Sequence, residues 1–115
     1  MNADTPTPGT LSISSSIDDG TVRVTLEGEL DLASARLMEE RLSTIEETRP
    51  ARLVVDLGRL AFIDSTGLRL LLQADGRARE RGGEFVLRPG DANVQRVFEV
   101  TGALDVLSFE GASES

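Results

Sequence analysis

Leu53-Val54-Val55-Asp56-Leu57 is a short valine-rich run set between two segments of helical periodicity. An apolar run without alternation reads as a strand buried on both faces, the usual state of a strand inside a parallel sheet. Upstream, Ala35, Met38, Leu42 and Ile45 recur at spacings of three and four, one apolar stripe of a helix that must end before Pro50. Downstream, Leu68, Leu71, Leu72 and Ala78 mark the inner face of a second helix, stopped by Gly82-Gly83. A strand flanked in this way joins its neighbours through crossovers, which makes them parallel and the connections right-handed.

The remaining segments fit around that unit. Leu11 to Ile17 alternates, Asp18-Asp19-Gly20 is a turn signal, and Val22, Val24 and Leu26 alternate with Arg23, Thr25 and Glu27. These are two half-buried strands of a hairpin. Asp31 is a good N-cap for the first helix. Gly58-Arg59 is expected to turn the chain toward Ile63. Glu84 to Arg88 is a strand closed by Pro89-Gly90. Asp91 caps a third helix, with Val94, Val97 and Phe98 inward and Gly102 at its end, and Val106 to Phe109 is a short last strand. The order is β-β-α-β-α-β-α-β. If the sheet grows in one direction, its helices fall mainly on one face and the other face meets water. The expected organisation is a flexible lead-in at 1–10, one α/β domain over 11–109 and a polar tail at 110–115, in a chain of 115 residues.

Composition removes several chemistries. Cysteine and histidine are both absent, so no disulfide, Cys-ligated metal, Cys nucleophile or His base is available. All 12 basic residues are arginine, and the net charge is −8. Such a surface repels nucleic acid and anionic membrane, and with four Phe, no Trp and no Tyr there is no platform for stacking bases. The arginines at 77, 79 and 81 read as a solvated helix end complementing the dipole. No signal peptide, membrane-length apolar run or phosphate-binding glycine loop is present, which points to a cytoplasmic protein without cofactor.

The candidate functional segment is Leu60-Ala61-Phe62-Ile63-Asp64-Ser65-Thr66-Gly67-Leu68. An apolar run ends in a carboxylate, a hydroxyl pair follows, then the apolar face of a helix. Ser65 is expected to cap that helix, where unpaired N–H groups and the dipole tolerate a phosphate. Serine nucleophilic catalysis fails for want of a base, since neither His nor Lys exists and the surroundings are not Gly-x-Ser-x-Gly. Asp31, Asp56 and Asp64 read as a cap, a strand end and a loop former rather than as paired carboxylates or metal ligands.

The block Val54-Val55-Asp56-Leu57 … Phe62-Ile63-Asp64-Ser65-Thr66-Gly67-Leu68, after Gly28-Glu29-Leu30-Asp31 and before Val97-Phe98 … Thr101-Gly102-Ala103-Leu104, resembles the STAS domain of bacterial anti-sigma factor antagonists. The likeness runs through nearly the whole chain after Thr10. It implies a STAS-like sheet of four or five strands, a hairpin plus parallel strands, with helices mainly on one face. It also implies a non-catalytic partner switch in transcription regulation and stress response. Ser65 matches the serine phosphorylated by a Ser/Thr kinase that is itself the anti-sigma factor. The unphosphorylated protein binds that kinase, phosphorylation releases it, and a PP2C-type phosphatase resets the switch. Asp31 matches an acidic position near the serine, and Asp64, Thr66, Gly67, Leu68 and Arg69 complete the expected partner-binding set. Thr66 stands where many members have a second serine, a second candidate for phosphate. Arg69 puts a bulky cation at a rim position often held by something small. The alternative reading keeps the fold and makes the chain an adaptor or scaffold subunit of a transporter or stress-sensing complex, with Ser65 as a cap within a docking surface.

Overall fold

The computed structural model describes residues 10–111, so the expected lead-in, Thr10 aside, and residues 112–115 of the expected tail lie outside it. Strand β1 (Leu11–Asp18) pairs antiparallel with β2 (Thr21–Leu30). The two residues between them, Asp19 and Gly20, have φ of 52° and 84°. Both values are positive, as a two-residue hairpin loop that matches the strand twist requires. A 3₁₀ turn (Leu32–Ser34) leads into α1 (Ala35–Glu47), followed by β3 (Arg52–Ile63), α2 (Ser65–Glu80), β4 (Glu84–Arg88) and α3 (Ala92–Thr101). A second 3₁₀ turn (Ala103–Asp105) and β5 (Ser108–Phe109) complete the described chain.

The five strands lie side by side in sequence order. Only the β1–β2 pair is antiparallel; β2, β3, β4 and β5 run parallel. Growth in one direction, combined with right-handed crossovers, sends each connecting helix to the same side. Met38, Leu42 and Ile45 of α1, Leu68, Leu71, Ala74 and Ala78 of α2, and Val94 and Phe98 of α3 accordingly join one cluster with Val22, Val24, Leu26, Leu53, Val55, Leu57, Phe85 and Leu87. The Phe98 ring meets Phe109 edge-on at 5.2 Å between centroids, which ties α3 to the last strand.

The opposite face of the sheet carries charge. Val54 and Val86 are buried there, outside the main cluster, in register with Arg23 and with each other. Three arginines shield them: Arg23, Arg52 and Arg88 approach the Glu110 carboxylate at 3.7, 3.3 and 3.5 Å. The Glu110 amide also donates to the Leu87 carbonyl at 2.7 Å, so this residue of the expected tail is fastened to the sheet. The continuous apolar run at Leu53–Val55 is thus explained by two covers, helices on one side and arginine stems on the other.

Three local expectations give way to the structure. Gly58-Arg59 does not turn the chain; it lies inside β3, which stays paired with β2 while the register slips between Thr25 and Glu27 and again between Gly28 and Glu29. The extra residues are absorbed as bulges, one steadied by the Gly58 amide donating to Asp56 Oδ1 at 2.8 Å. The last strand is shorter than expected, because Ala103–Asp105 is a 3₁₀ turn and only Ser108–Phe109 pair with β4. Of the three arginines at the end of α2, Arg77 and Arg79 are bonded rather than simply solvated, while Arg81 Nε and Nη2 are buried without a hydrogen-bond partner. Arg77 donates twice to Glu46, at 2.8 and 3.0 Å, and that bond holds its guanidinium pKa above the ordinary value. Arg79 reaches Asp75 at 3.0 Å and the Val106 carbonyl at 2.9 Å. No helix among the described residues is long and apolar enough to cross a membrane.

Gly76 lies exposed in the interior of α2, and a Cβ added there meets nothing within 4 Å. Gly76→Ala is therefore expected to stabilise the chain by about 0.5–1 kcal/mol through helix propensity alone. A urea unfolding midpoint that rises with unchanged slope agrees; a midpoint that falls contradicts the assignment.

Candidate functional site

Parallel strands deliver their C-terminal ends to one edge of a sheet, and here β2 and β3 end together, with Leu30 beside Ile63. The residue after each is an aspartate. Asp31 and Asp64 therefore lie at one edge, each at the start of a helical segment.

The two carboxylates do related work. Asp31 Oδ1 accepts the Ser34 amide at 3.1 Å, and Ser34 Oγ accepts the Asp31 amide at 3.0 Å, a capping box on the first 3₁₀ turn. The Ser34 hydroxyl also donates to the Glu29 carbonyl at 2.8 Å, which satisfies one of the few buried polar side chains of the domain. Asp64 Oδ1 accepts the Gly67 amide at 2.9 Å, and Oδ2 accepts the Leu32 amide at 3.2 Å. One carboxylate thus joins the start of α2 to the turn that precedes α1. The Asp64 amide donates to the Leu30 carbonyl at 3.2 Å and fixes the same corner from the backbone side.

The N-cap of α2 is therefore Asp64, with extended φ and ψ of −113° and −173°, and Ser65 is the first helical residue. This corrects the expectation that Ser65 caps the helix. Asp and Ser are comparably good caps, and the long-range bonds of Asp64 to Leu30 and Leu32 decide between them. The consequence for Ser65 is direct. Its side chain is exposed, and among the described residues its hydroxyl has no hydrogen-bond partner.

The rest of the expected set divides by burial. Arg69 is exposed one turn beyond Ser65 on the same helix face and makes no ion pair among the described residues. Asp31, Asp64 and Thr66 are half-buried. Gly67 and Leu68 are buried, against the expectation that they meet a partner. A Cβ on Gly67 would stand 2.5 Å from the Leu30 carbonyl oxygen and 2.8 Å from Leu30 Cγ, so glycine is what allows α2 to start this close to β2. Leu68 anchors the helix in the core. Two residues at this edge escaped sequence reasoning. Leu32 is 75% exposed and Phe62 is 48% exposed, flanking the Asp64 corner from the turn and from β3. Leu32 sits in a 3₁₀ turn outside the stripe of α1, and no periodicity signals its position.

Chemically this edge offers two hydroxyls without a hydrogen-bond partner among the described residues, the exposed Ser65 and the half-buried Thr66, together with fixed backbone N–H groups at the start of α2 and two carboxylates already engaged as acceptors. No group of three or more potential ligating side chains that suits a metal ion exists among the described residues. An exposed hydroxyl of this kind is accessible to an external enzyme, and both oxygens of the adjacent Asp64 carboxylate already accept backbone amides.

The family model described as "Mlab, STAS domain" matches residues 13–108. BtrV of Bordetella bronchiseptica, named provisionally as an anti-sigma factor antagonist, is 34% identical over 97 residues, 84% of this chain and 84% of that protein. An anti-sigma factor antagonist from Mycobacterium paratuberculosis superposes with a TM-score of 0.84 at 22% identity, covering 96% of this chain and 93% of that one, which is a likeness of fold. The anti-sigma factor antagonist SpoIIAA in its unphosphorylated form superposes with a TM-score of 0.69 at 26% identity, over 90% of this chain and 91% of that one.

The division of labour between Asp64 and Ser65 is open to measurement. Asp64→Ala is expected to cost about 1 kcal/mol or more, through the lost cap and the freed Leu32 amide. Ser65→Ala should stay within about 0.5 kcal/mol of the parent, as an exposed substitution does. Gly67→Ala should destabilise by roughly 1–3 kcal/mol, through the clash with Leu30. Equilibrium unfolding of the three variants decides; a Ser65→Ala loss as large as that of Asp64→Ala would return the cap to serine.

Proposed function

The chain belongs to the STAS domain family, and we propose that it acts there as an anti-sigma factor antagonist whose grip on its partner is broken by a phosphate on Ser65. One observation carries this reading: the Ser65 hydroxyl is exposed and unengaged, on a corner whose backbone is held from several sides. The partner is an anti-sigma factor that is also a Ser/Thr kinase. A PP2C-type phosphatase restores the hydroxyl. The chain itself catalyses nothing; it is substrate and ligand in turn.

A phosphate adds about −1.5 to −2 charges at neutral pH. On the chain's own side it is tolerable. The start of α2 contributes a positive dipole end and free N–H groups, worth roughly 0.3–1 kcal/mol to an anion, against the nearby Asp64 carboxylate. On the partner's side it is not tolerable. A kinase faces the hydroxyl with the base that takes its proton and with nucleotide phosphates, which are themselves negative. Each like-charge pair at about 4 Å costs on the order of 1–4 kcal/mol, depending on screening. One such pair at the upper end exceeds the 1.4 kcal/mol that corresponds to about tenfold in affinity. Release requires no change of fold.

Around Ser65 the exposed Arg69 and the half-buried Asp31, Asp64 and Thr66 form the contact surface, supported from beneath by Gly67 and Leu68. The carboxylates are occupied as backbone acceptors, so they shape the surface and set its sign. Arg69 offers an unpaired guanidinium to a partner carboxylate. With a net charge of −8 over the whole chain, the complementary surface is basic outside the immediate catalytic site of the kinase.

Incubation with ATP and the kinase is expected to place phosphate on Ser65, read by mass spectrometry, and not on a Ser65→Ala chain. Ser65→Ala should bind the anti-sigma factor and stay bound after ATP is added, and Ser65→Asp should bind at least about tenfold more weakly. If both variants bind and release like the parent, the switch is not at Ser65.

A further inference from the structure

Leu32 presents an unusual combination. It is 75% exposed, yet it lies in a turn held by several hydrogen bonds. The Asp31–Ser34 capping box closes the turn, the Ser34 hydroxyl pins it to Glu29, and Asp64 Oδ2 accepts the Leu32 amide itself. A leucine on a loose loop can turn away from water; this one is held outward. Phe62, 48% exposed, lies two residues before Asp64 on β3, in register with Glu29. Leu32 is tied through its amide to the Asp64 carboxylate, next to Ser65 in the chain. Single exposed apolar residues are ordinary. One whose backbone is fixed by hydrogen bonds to the residue beside an exposed hydroxyl is preorganised.

The surrounding charge says what kind of surface covers them. The charged residues nearest in sequence to the two side chains, Glu29, Asp31 and Asp64, are acidic, with Arg36, Arg59 and Arg69 farther along the chain. We infer that Leu32, together with Phe62, is the apolar anchor of the anti-sigma factor complex, inserted into an apolar pocket of the kinase whose rim is basic. This rests on the reading of Ser65 as the phosphoacceptor and adds a separate contribution to it. The anchor holds the complex together, while the hydroxyl decides whether it survives. Because Asp64 bonds both the Leu32 amide and the Gly67 amide, anchor and hydroxyl keep a fixed spacing, and one docking pose engages both.

The test uses the full chain and the kinase that labels Ser65 in the assay above, with binding measured by calorimetry in the absence of ATP. Leu32→Ala is expected to raise Kd by about tenfold, the scale of a central interface anchor. Leu32→Met should restore affinity to within about threefold, since volume and polarity are kept. Both should unfold at the parent temperature, because the side chain is exposed. A Leu32→Ala chain that binds within threefold of the parent overturns the anchor while leaving the Ser65 switch intact. Failure of any kinase to label Ser65 overturns the switch and the anchor together. Phe62→Ala provides an independent arm: a Kd raised at least threefold supports the paired surface, and an unchanged Kd removes Phe62 from it.

Discussion

The Asp64 carboxylate is the joint on which the functional edge depends. Oδ1 closes the start of α2 through Gly67, and Oδ2 closes the turn before α1 through Leu32. These are two elements far apart in sequence, brought together because β2 and β3 end side by side at Leu30 and Ile63. The absent side chain of Gly67 lets the helix approach the Leu30 carbonyl, and the aspartate then bonds across the gap. With Asp64 acting as the cap, Ser65 is relieved of structural work. A residue that the fold does not need is one that can be esterified without disturbing the fold.

That separation explains how a small domain with neither histidine nor cysteine can act in regulation. No cluster of side chains suited to a metal ion exists among its described residues, and on the proposed reading it supplies a surface charged at Ser65. On that reading the charge acts across the interface, where screening is weakest once water is excluded, more than within the domain. The far face of the sheet is organised differently. Its arginines gather on Glu110 and serve to cover Val54 and Val86, so the basic residues there are structural.

Much of this architecture is legible in the chain. The Asp-Gly hairpin, the doubly buried Leu53–Val55 run, the Asp91 cap and the Gly102 stop, with φ of 81°, all follow local rules that the fold obeys. Local rules fail where two residues satisfy them equally or where pairing overrides them. Gly58 reads as a turn, but β2 continues alongside and a bulge keeps it in the strand. Asp64 and Ser65 are both good caps, and only contacts with Leu30 and Leu32 choose between them. The Asp-Ser-Thr-Gly setting singles out Ser65, which the fold leaves exposed at the first position of α2. The outward fixing of Leu32 is not legible in this way, because it arises from bonds to residues before and after it in space rather than from a pattern along the chain.

The proposed function joins these observations as a preformed surface from which a partner is evicted by charge alone. Calorimetric titration of the anti-sigma factor kinase with the chain stoichiometrically phosphorylated on Ser65 addresses this without any substitution. At least tenfold weaker binding than the unmodified chain, at an unchanged unfolding temperature, is the expected result. Equal affinities for the two forms would contradict it, and so would a loss of affinity accompanied by unfolding of the domain.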